Sequence, residues 1–167
     1  MRIFLSYAHE DREAVDGYYT RLKSRGYSPW IDFRDILPGQ NWELEIQRQT
    51  RESDAVIVFL SRTAIGKTGY VQAEQTRLLE QLERRQENTI YLIPARIDEC
   101  ELPTRFSKLR HIDLFSEDGW ERLLAALEKA NESISAGAVV GQQFGPFTVR
   151  AKELKKPGRA IPVMKWD

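Results

Sequence analysis

Two continuous apolar runs constrain the fold more than any other feature of this sequence. The runs AVIVFL (residues 55–60) and IYLIPA (residues 90–95) lack the alternation of polar and apolar residues seen in strands with one face in water. Such short runs, flanked by polar residues, are typical of strands that are buried on both faces. Because strands of this kind occur mainly in parallel sheets covered by helices, the two runs favour an α/β protein.

The rest of the sequence alternates short apolar runs with longer amphipathic ones. The predicted strands cover residues 2–6, 27–31, 55–60, 90–95 and 111–114, and the predicted helices cover residues 11–25, 42–52, 70–86 and 118–132. Gly26 is expected to end the first helix, and the segment between the last two strands is expected to be mostly loop. This order predicts a doubly wound, flavodoxin-like α/β fold, with a parallel five-stranded sheet and helices on both faces.

The end of the chain differs in character from the rest. Residues 133–167 are rich in Gly, Ala and Pro, and they finish with two short β-like runs, FTVRA and AIPVMKW. We therefore expect a domain over residues 1–132, followed by a linker and a short β-like tail. The tail could pack on the domain as a hairpin, or it could be the start of a further domain.

Charge and composition exclude several classes of partner. Lys plus Arg number 25 and Asp plus Glu number 25, so the formal net charge is zero. This balance gives no general attraction to nucleic acid or to an anionic membrane, and neither is expected as a partner. The single cysteine, Cys100, permits no internal disulfide, and no segment approaches the roughly 20 apolar residues of a membrane span. We therefore expect a cytoplasmic protein.

The predicted fold indicates where a ligand would bind. Ligands of open α/β sheets bind at the carboxyl ends of the strands. Those ends are expected at Ser6 and Tyr7 after the first strand, at Asp32 and Phe33 after the second, and at Ser61 and Arg96 after the next two. Ser6 could line a crevice together with Asp11, or the two residues could serve only to end the strand and to cap the following helix.

Glu74 is an unusual residue within the predicted helix 70–86. It lies between Val71 and Leu78 on the shoulder of the apolar face, whereas Glu80 and Glu83 point away from that face. Because the helix follows the third strand, Glu74 is also expected near the carboxyl edge of the sheet. It could act on a ligand there, or it could pair with Arg77 or Arg51.

The segment WIDFRDILPGQNW (residues 30–42) places apolar residues in a predicted loop. Pro38 and Gly39 indicate a turn. Phe33, Leu37 and Trp42 lie in or beside this turn. Such a loop could pack on its own domain, cover a ligand or contact a partner.

Other motifs predict no site. SRTAIGKT (residues 61–68) follows a strand as a phosphate-binding P-loop would, but it has Ser61 where that loop requires glycine. A nucleotide-binding regulator is therefore only a third interpretation. No G-x-G-x-x-G pattern follows a strand, so a Rossmann dinucleotide site is not predicted. His9 and His111 lack the spacing of zinc ligands, so no metal is expected, and no residue beside Cys100 suggests a catalytic thiol.

Taken in order, these pieces resemble the Toll/interleukin-1 receptor (TIR) domain family, in particular its bacterial members. IFLSYAHEDRE is similar to the first sequence box of the family, DFRDILPGQNW to the second box, which mediates assembly, and FSKLRHIDLF to the weak third box. SDAVIVFLSRTAIGKTGYVQAE resembles the segment that carries the W-x-x-x-E element. The resemblance covers about residues 1–132.

The resemblance implies an enzyme that cleaves NAD+ at the bond between nicotinamide and ribose. Many family members use one glutamate of the W-x-x-x-E element for this reaction. That glutamate aligns with Glu74, while Tyr70 stands at the tryptophan position. NAD+ would be the substrate, with no further cofactor, and the product could be ADP-ribose or a cyclic form. Bacterial members often act in anti-phage immunity, where loss of NAD+ or a cyclic product signals infection.

The resemblance also implies roles for other residues and leaves one alternative. Ser6, Tyr7, Phe33, Trp42 and Tyr70 are expected to contact the substrate. Arg34, Asp35, Pro38 and Gly39 are expected to shape a second-box loop through which the chain associates with copies of itself. Other members of the family are signalling modules without enzymatic activity. The alternative is therefore an assembly module that acts only through contacts between like domains.

Overall fold

The computed structural model describes residues 1–66 and 92–140, without the side chains of Arg105 and residues 137–140. Its five strands form one sheet in the order β2-β1-β3-β4-β5, and all neighbouring strands are parallel. This is the strand order of flavodoxin-like folds. The predicted fold class is therefore confirmed.

The strands begin and end close to the predicted positions. They are β1 (Arg2–Ser6), β2 (Ser28–Trp30), β3 (Ala55–Leu60), β4 (Leu92–Arg96) and β5 (Ile112–Asp113). β3 is buried along its whole length, as its continuous apolar sequence predicted. β2 lies at the edge of the sheet, the position where a strand tolerates a proline such as Pro29, which has no N–H to donate to a further strand.

The helices within the described ranges are α1 (Arg12–Ser24), α2 (Asp32–Asp35), α3 (Trp42–Glu52), α4 (Arg62–Ile65) and α5 (Gly119–Val140). Short 3-10 turns occur at His9–Asp11 and Thr104–Phe106. α3 begins where predicted, because the Asn41 side chain accepts the Leu44 N–H at 3.1 Å and caps the helix. α2 and α4 were predicted as loop. Each is a single turn, too short to produce a helical periodicity in the sequence. The predicted helix 70–86 lies outside the described residues.

The two faces of the sheet carry separate hydrophobic cores. On one face, β1, β3 and β4 pack Ile3, Ile57 and Ile93 against apolar residues of α1 and α5. On the other face, the alternate residues Phe4, Val56 and Leu92 pack with Phe106, Trp30 and Ile46. Helices therefore cover both faces, because successive residues of a strand point to opposite sides.

The last described helix is longer than predicted. It was expected to end at residue 132, but α5 continues to Val140, so residues 133–140 are helical rather than linker-like. Alanine and serine in this stretch are compatible with a helix, and alanine favours one. Residues 141–167, which include both β-like runs, lie outside the described residues, and the proposed division into domain and tail stays a prediction. Among the helices described, none has the length and apolar character needed to cross a membrane.

Candidate functional site

The carboxyl edge of the sheet is connected by a series of hydrogen bonds. Each pair of neighbouring strands is joined, at the strand ends or just beyond them, by a bond that uses at least one side chain. We call these the carboxyl-edge bonds. From β2 to β5 they are Tyr7 to Asp32, Ser61 to Asp11, the Arg62 N–H to Asp98, and Arg96 to Asp113. Loops that end neighbouring strands are thereby held in fixed positions relative to one another.

The bond between the β1 and β2 ends is made by a tyrosine that packs against a second aromatic side chain. The Tyr7 hydroxyl donates to Asp32 Oδ1 at 2.6 Å, and the rings of Tyr7 and Phe33 meet edge to face with centroids 6.2 Å apart. Burial, together with the neighbouring Asp32 carboxylate, raises the pKa of the Tyr7 hydroxyl. Tyr7 is therefore a neutral donor at physiological pH. The structure thus places two predicted substrate-contacting residues, Tyr7 and Phe33, side by side.

Arg12 covers one face of the Phe33 ring. Its guanidinium carbon lies 4.0 Å from the ring centroid, a distance at which the cation is attracted to the electrons of the ring. One face of Phe33 is thus already occupied by a side chain of the same domain. Arg12 was not singled out in the sequence, because a charged residue at the start of a helix is an ordinary surface feature.

The bond between the β1 and β3 ends is buried. Ser61 Oγ donates to Asp11 Oδ2 at 2.7 Å and accepts the Ala64 N–H at 2.9 Å. Ser61 is 1% exposed and Asp11 is 9% exposed. Asp11 occupies the N-cap position of α1 but makes no capping hydrogen bond with its side chain. The capping role considered for Asp11 is therefore wrong. Its carboxylate instead accepts a hydrogen bond from Ser61, which follows the neighbouring strand β3. The position that a P-loop would fill with glycine is taken by a serine that caps α4.

A cleft lies at the β3, β4 and β5 ends. Its volume is about 730 Å³, and its lining includes Arg62, Arg96, Cys100, Asp113 and Phe115. Arg96 donates to Asp113 at 2.6 Å and to the Cys100 carbonyl at 2.6 Å. The ion pair with Arg96 lowers the pKa of Asp113, whereas burial raises the pKa of the Cys100 thiol. The cleft was not predicted as a unit, because its lining comes from three separate segments.

The predicted turn at Pro38 and Gly39 is present. The Gln40 N–H donates to the Leu37 carbonyl at 3.1 Å, which closes a four-residue turn. Gly39 has φ +89°, a conformation that residues with a side chain rarely adopt. Proline followed by a positive-φ glycine is the sequence that a type II turn requires. The Gln40 side chain also accepts the Leu37 N–H at 2.7 Å, so the turn is closed by two hydrogen bonds.

Arg34 and Asp35, on α2 just before this turn, bind their own domain. Arg34 forms a two-point ion pair with Asp16 of α1, with Nε–Oδ1 and Nη2–Oδ2 distances of 2.5 and 2.7 Å. Asp35 Oδ2 accepts the Ile31 N–H at 2.7 Å. Both residues thus hold α2 against the domain and fix the start of the loop that Pro38 and Gly39 complete.

Apolar side chains beside the turn are exposed. Leu37 and Leu44 are each 63% exposed, and Trp42 is 46% exposed. The loop was expected to pack on its own domain, cover a ligand or contact a partner. The first alternative does not explain the exposed Leu37 side chain. Three large apolar side chains are thus exposed within eight residues, on and just after a turn closed by two hydrogen bonds, and exposed apolar side chains grouped in this way favour a contact surface over an ordinary solvated loop.

The remaining predicted residues fall into two groups. Ser6 is at the end of β1 but is only 8% exposed, so it offers a ligand little surface. Tyr70 and Glu74 lie outside the described residues. The last residue described before them is Gly66, which follows α4 and lines the cleft. The substrate-contacting roles of Ser6 and Tyr70 and the catalytic role of Glu74 stay predictions.

The strand order and the ordered loops at the carboxyl edge define a flavodoxin-like α/β domain. A family model described as "TIR domain" matches residues 3–127. The chain belongs to the TIR domain family. No curated protein matches the chain.

Solved structures share the fold. The TIR domain of the Toll-related receptor TRR-2 from Hydra magnipapillata has 21% identity and a TM-score of 0.61, over 75% of this chain and 97% of that one. A prokaryotic SEFIR domain has 15% identity and a TM-score of 0.56, over 75% and 90%. The TIR domains of the activated Roq1 resistosome, which directly recognises the pathogen effector XopQ, have 21% identity and a TM-score of 0.51, over 78% and 83%.

Proposed function

We propose that this TIR domain is an NAD+ glycohydrolase that cleaves the nicotinamide–ribose bond, with Glu74 as its catalytic carboxylate. The products are nicotinamide and ADP-ribose, or a cyclic form of ADP-ribose when a group of the substrate replaces water as the nucleophile. The proposal rests on membership of the TIR family together with a glutamate at the position of the W-x-x-x-E element. The resemblance to bacterial members further supports a role in anti-phage signalling.

The chemistry suits a site with one carboxylate. Nicotinamide leaves as a neutral molecule from a cationic ring, so its departure needs no general acid. Glycosidases that expel an alcohol need two carboxylates, partly because the leaving oxygen must be protonated. A single carboxylate beside the ribose can hold the hydroxyls and stabilise the positive charge that develops on the sugar. Removing such a group costs about 3–4 kcal/mol of transition-state stabilisation, or roughly 10²–10³ in rate.

The structural observation that best supports the proposal is the aromatic pair Tyr7 and Phe33 at the carboxyl edge of the sheet. Tyr7 is fixed by its 2.6 Å bond to Asp32, and Phe33 is fixed between the Tyr7 ring and the Arg12 guanidinium. Planar side chains held in this way can pack against a nicotinamide or adenine ring. In open α/β sheets this edge is also where ligands bind.

The test is nicotinamide release from NAD+ by the concentrated protein, followed by chromatography. We expect release by the native chain and loss of release by Glu74→Gln, since a neutral amide stabilises positive charge far less than a carboxylate does. Glu80→Gln is the matched control, because it removes a glutamate from the same predicted helix, away from its apolar face. The hypothesis of a Glu74-dependent NAD+ glycohydrolase is wrong if native protein clustered on beads releases no nicotinamide, or if the Glu74 variant is as active as the native chain.

A second candidate function, assembly with like domains, is supported by a separate observation. The exposed Leu37 side chain lies on a turn closed by two hydrogen bonds, and Trp42, five residues further along the chain, is also exposed. We propose that this loop mediates self-association, which would either activate the enzyme or be the whole function. Glu74→Gln should leave association intact, whereas a substitution in the turn should weaken it. An assembly module without activity would show association but no nicotinamide release.

A further inference from the structure

The Arg12 guanidinium has a fixed position but no acceptor among the described residues. Arg12 is the exposed first residue of α1, and its guanidinium carbon lies 4.0 Å from the Phe33 centroid. Within the described ranges, no side chain forms an ion pair with this guanidinium and no group accepts a hydrogen bond from it. As far as the described part of the chain is concerned, its N–H groups are available to an acceptor from outside the domain.

Other arginines at the carboxyl edge hold parts of the domain together. Their partners are Asp16 for Arg34, the Glu99 carbonyl for Arg62 and Asp113 for Arg96. Each of these guanidiniums connects two elements or loops through hydrogen bonds. Arg12 differs from them, because the contact that fixes it is made with the face of an aromatic ring.

The carboxylates beside Arg12 are already bound by other groups. Asp16 forms a two-point ion pair with Arg34. The pKa of Asp16 is lowered first by this hydrogen bond, and Arg12 contributes less. Asp32 accepts the Tyr7 hydroxyl at 2.6 Å. An anionic ligand can therefore reach Arg12 without breaking an ion pair between described residues.

A guanidinium stacked on an aromatic ring keeps its hydrogen-bonding capacity. The ring attracts the cation through its face, whereas the N–H donors lie in the guanidinium plane and point outward. This planar arrangement of donors matches two oxygens of a phosphate group. Because Phe33 already restricts the Arg12 side chain, less conformational entropy is lost when an anion binds.

We propose that Arg12 binds the diphosphate of the dinucleotide substrate. The inference rests on the proposed function, which supplies the identity of the ligand and the role of the Tyr7 and Phe33 rings. In NAD+ one ribose separates each aromatic ring from the diphosphate. A substrate ring packed against the aromatic pair thus leaves the diphosphate one sugar away, on the side where Arg12 covers Phe33. The diphosphate does not react, so Arg12 contributes to binding rather than to bond cleavage.

The experiment compares Arg12→Gln with Arg21→Gln. Arg21 lies near the other end of α1, is also exposed, and has its guanidinium carbon 3.9 Å from the Trp120 centroid. Each variant therefore removes one stacked guanidinium from the same helix, but only Arg12→Gln does so beside the aromatic pair.

Calorimetry measures the binding of ADP-ribose, which carries the diphosphate but no nicotinamide. Arg12→Gln should weaken binding about 10-fold to 100-fold, the loss expected for a hydrogen bond between charged groups. Arg21→Gln should leave the Kd within about twofold of the native value. Arg12→Lys, which keeps the charge but loses the planar arrangement of donors, should recover part of the affinity.

Adenosine and turnover locate the effect on the ligand. Adenosine has the same ring and sugar as ADP-ribose but no phosphate, so the native chain and Arg12→Gln should bind it alike. In nicotinamide release, Arg12→Gln should raise KM for NAD+ with little change in kcat, because the diphosphate contact is equally strong in the ground state and in the transition state.

The outcomes separate this inference from the proposed function. ADP-ribose that binds the native chain and Arg12→Gln equally well, or that does not bind the native chain, overturns the role of Arg12 whatever happens to NAD+. Equal weakening of adenosine and ADP-ribose binding also overturns it, since the effect would then lie outside the diphosphate. Arg12-dependent binding of ADP-ribose by a protein that releases no nicotinamide, even when clustered, supports the role of Arg12 and overturns the proposed function alone.

Discussion

Tyr7 and Asp32 are 25 residues apart in the sequence, yet the tyrosine hydroxyl donates to the carboxylate at 2.6 Å and connects the β1 end to α2. The neighbouring pair Tyr19 and Asp35 makes the same type of contact at 3.5 Å, the outer limit for a hydrogen bond. The two pairs tie α2 to the domain with different strength. Asp32 and Asp35 are the first and last residues of that short helix.

The difference between the pairs predicts unequal effects of removing the hydroxyl. Tyr7→Phe should lower the free energy of unfolding by about 1.5–3 kcal/mol, the usual range for a hydrogen bond to a charged group. Tyr19→Phe should cost less than about 0.5 kcal/mol, because its contact is long. Urea unfolding of both variants beside the native protein measures this, and equal losses would show that the shorter bond has no special role.

The buried Asp11 carboxyl group predicts an unusual dependence of stability on pH. Its pKa is raised in the folded chain, so between the unfolded and folded pKa values the native state binds more protons than the unfolded state. Asp11 therefore contributes stability that is present at acid pH and is lost as pH rises through the folded pKa. Relative to Asp11→Asn, the native protein should become more stable as pH falls from neutral toward 4.

Asp16→Asn is the control for this pH dependence, with the opposite sign. The ion pair with Arg34 lowers the pKa of Asp16, so its contribution is present above the unfolded pKa and is lost as pH falls through the folded pKa. Urea unfolding of the native protein and both variants at several pH values gives the two slopes. Slopes of the same sign would contradict the assignment of Asp11 as a buried carboxylate.

The ion pair between Arg96 and Asp113 predicts a measurable effect at the β4 and β5 ends. Asp113→Asn should cost about 1 kcal/mol near pH 7, and the cost should vanish as pH falls through the folded pKa of Asp113, which the arginine has lowered. Asp118→Asn is the matched control. Asp118 also faces an arginine, Arg122, but the two side chains are 4.0 Å apart and Asp118 is largely exposed. This substitution should change stability by less than about 0.5 kcal/mol.

Substitutions at Gly39 and at Gly26 should affect stability alike but self-association differently. Gly39 and Gly26 have φ values of +89° and +83°, and a Cβ added at either position would meet no atom within 4 Å. Alanine at either position should therefore cost about 1–2 kcal/mol through backbone strain alone. Only Gly39→Ala should weaken self-association, measured by sedimentation or light scattering over a range of concentrations. Equal association of the two variants would place the contact surface elsewhere.

The sequence predicted the sheet well because each strand has a local signal. β3 and the first four residues of β4 are continuous apolar runs, β1 is a short apolar run, and α3 begins at an asparagine cap. The turn at Pro38 and Gly39 was equally local, since both residues fix their own backbone angles. α5 was predicted too short because its Ala- and Ser-rich end resembles a linker in composition while it is helical in conformation.

The carboxyl-edge bonds could not be predicted in the same way. Ser61 meets Asp11 only because β3 lies next to β1, and that neighbour relation is a property of the whole sheet rather than of either segment. Arg12 contacts Phe33 because α1 and α2 lie side by side. The periodicity of apolar residues in the sequence does not show which helices are neighbours. Residue types at strand ends were informative about where a site lies, but not about which of them bind each other.

The turn that carries Leu37 also bears on how fast copies of this domain could associate. Its backbone is fixed by Pro38, by the positive φ of Gly39 and by two hydrogen bonds between Leu37 and Gln40. A loop of that kind loses little conformational entropy when a partner docks, because its shape is already set before the encounter. Association would then resemble the docking of rigid bodies, limited by local concentration and orientation rather than by a folding step. Recruitment of many copies to one place would suffice as a trigger, with no change in the shape of any single copy.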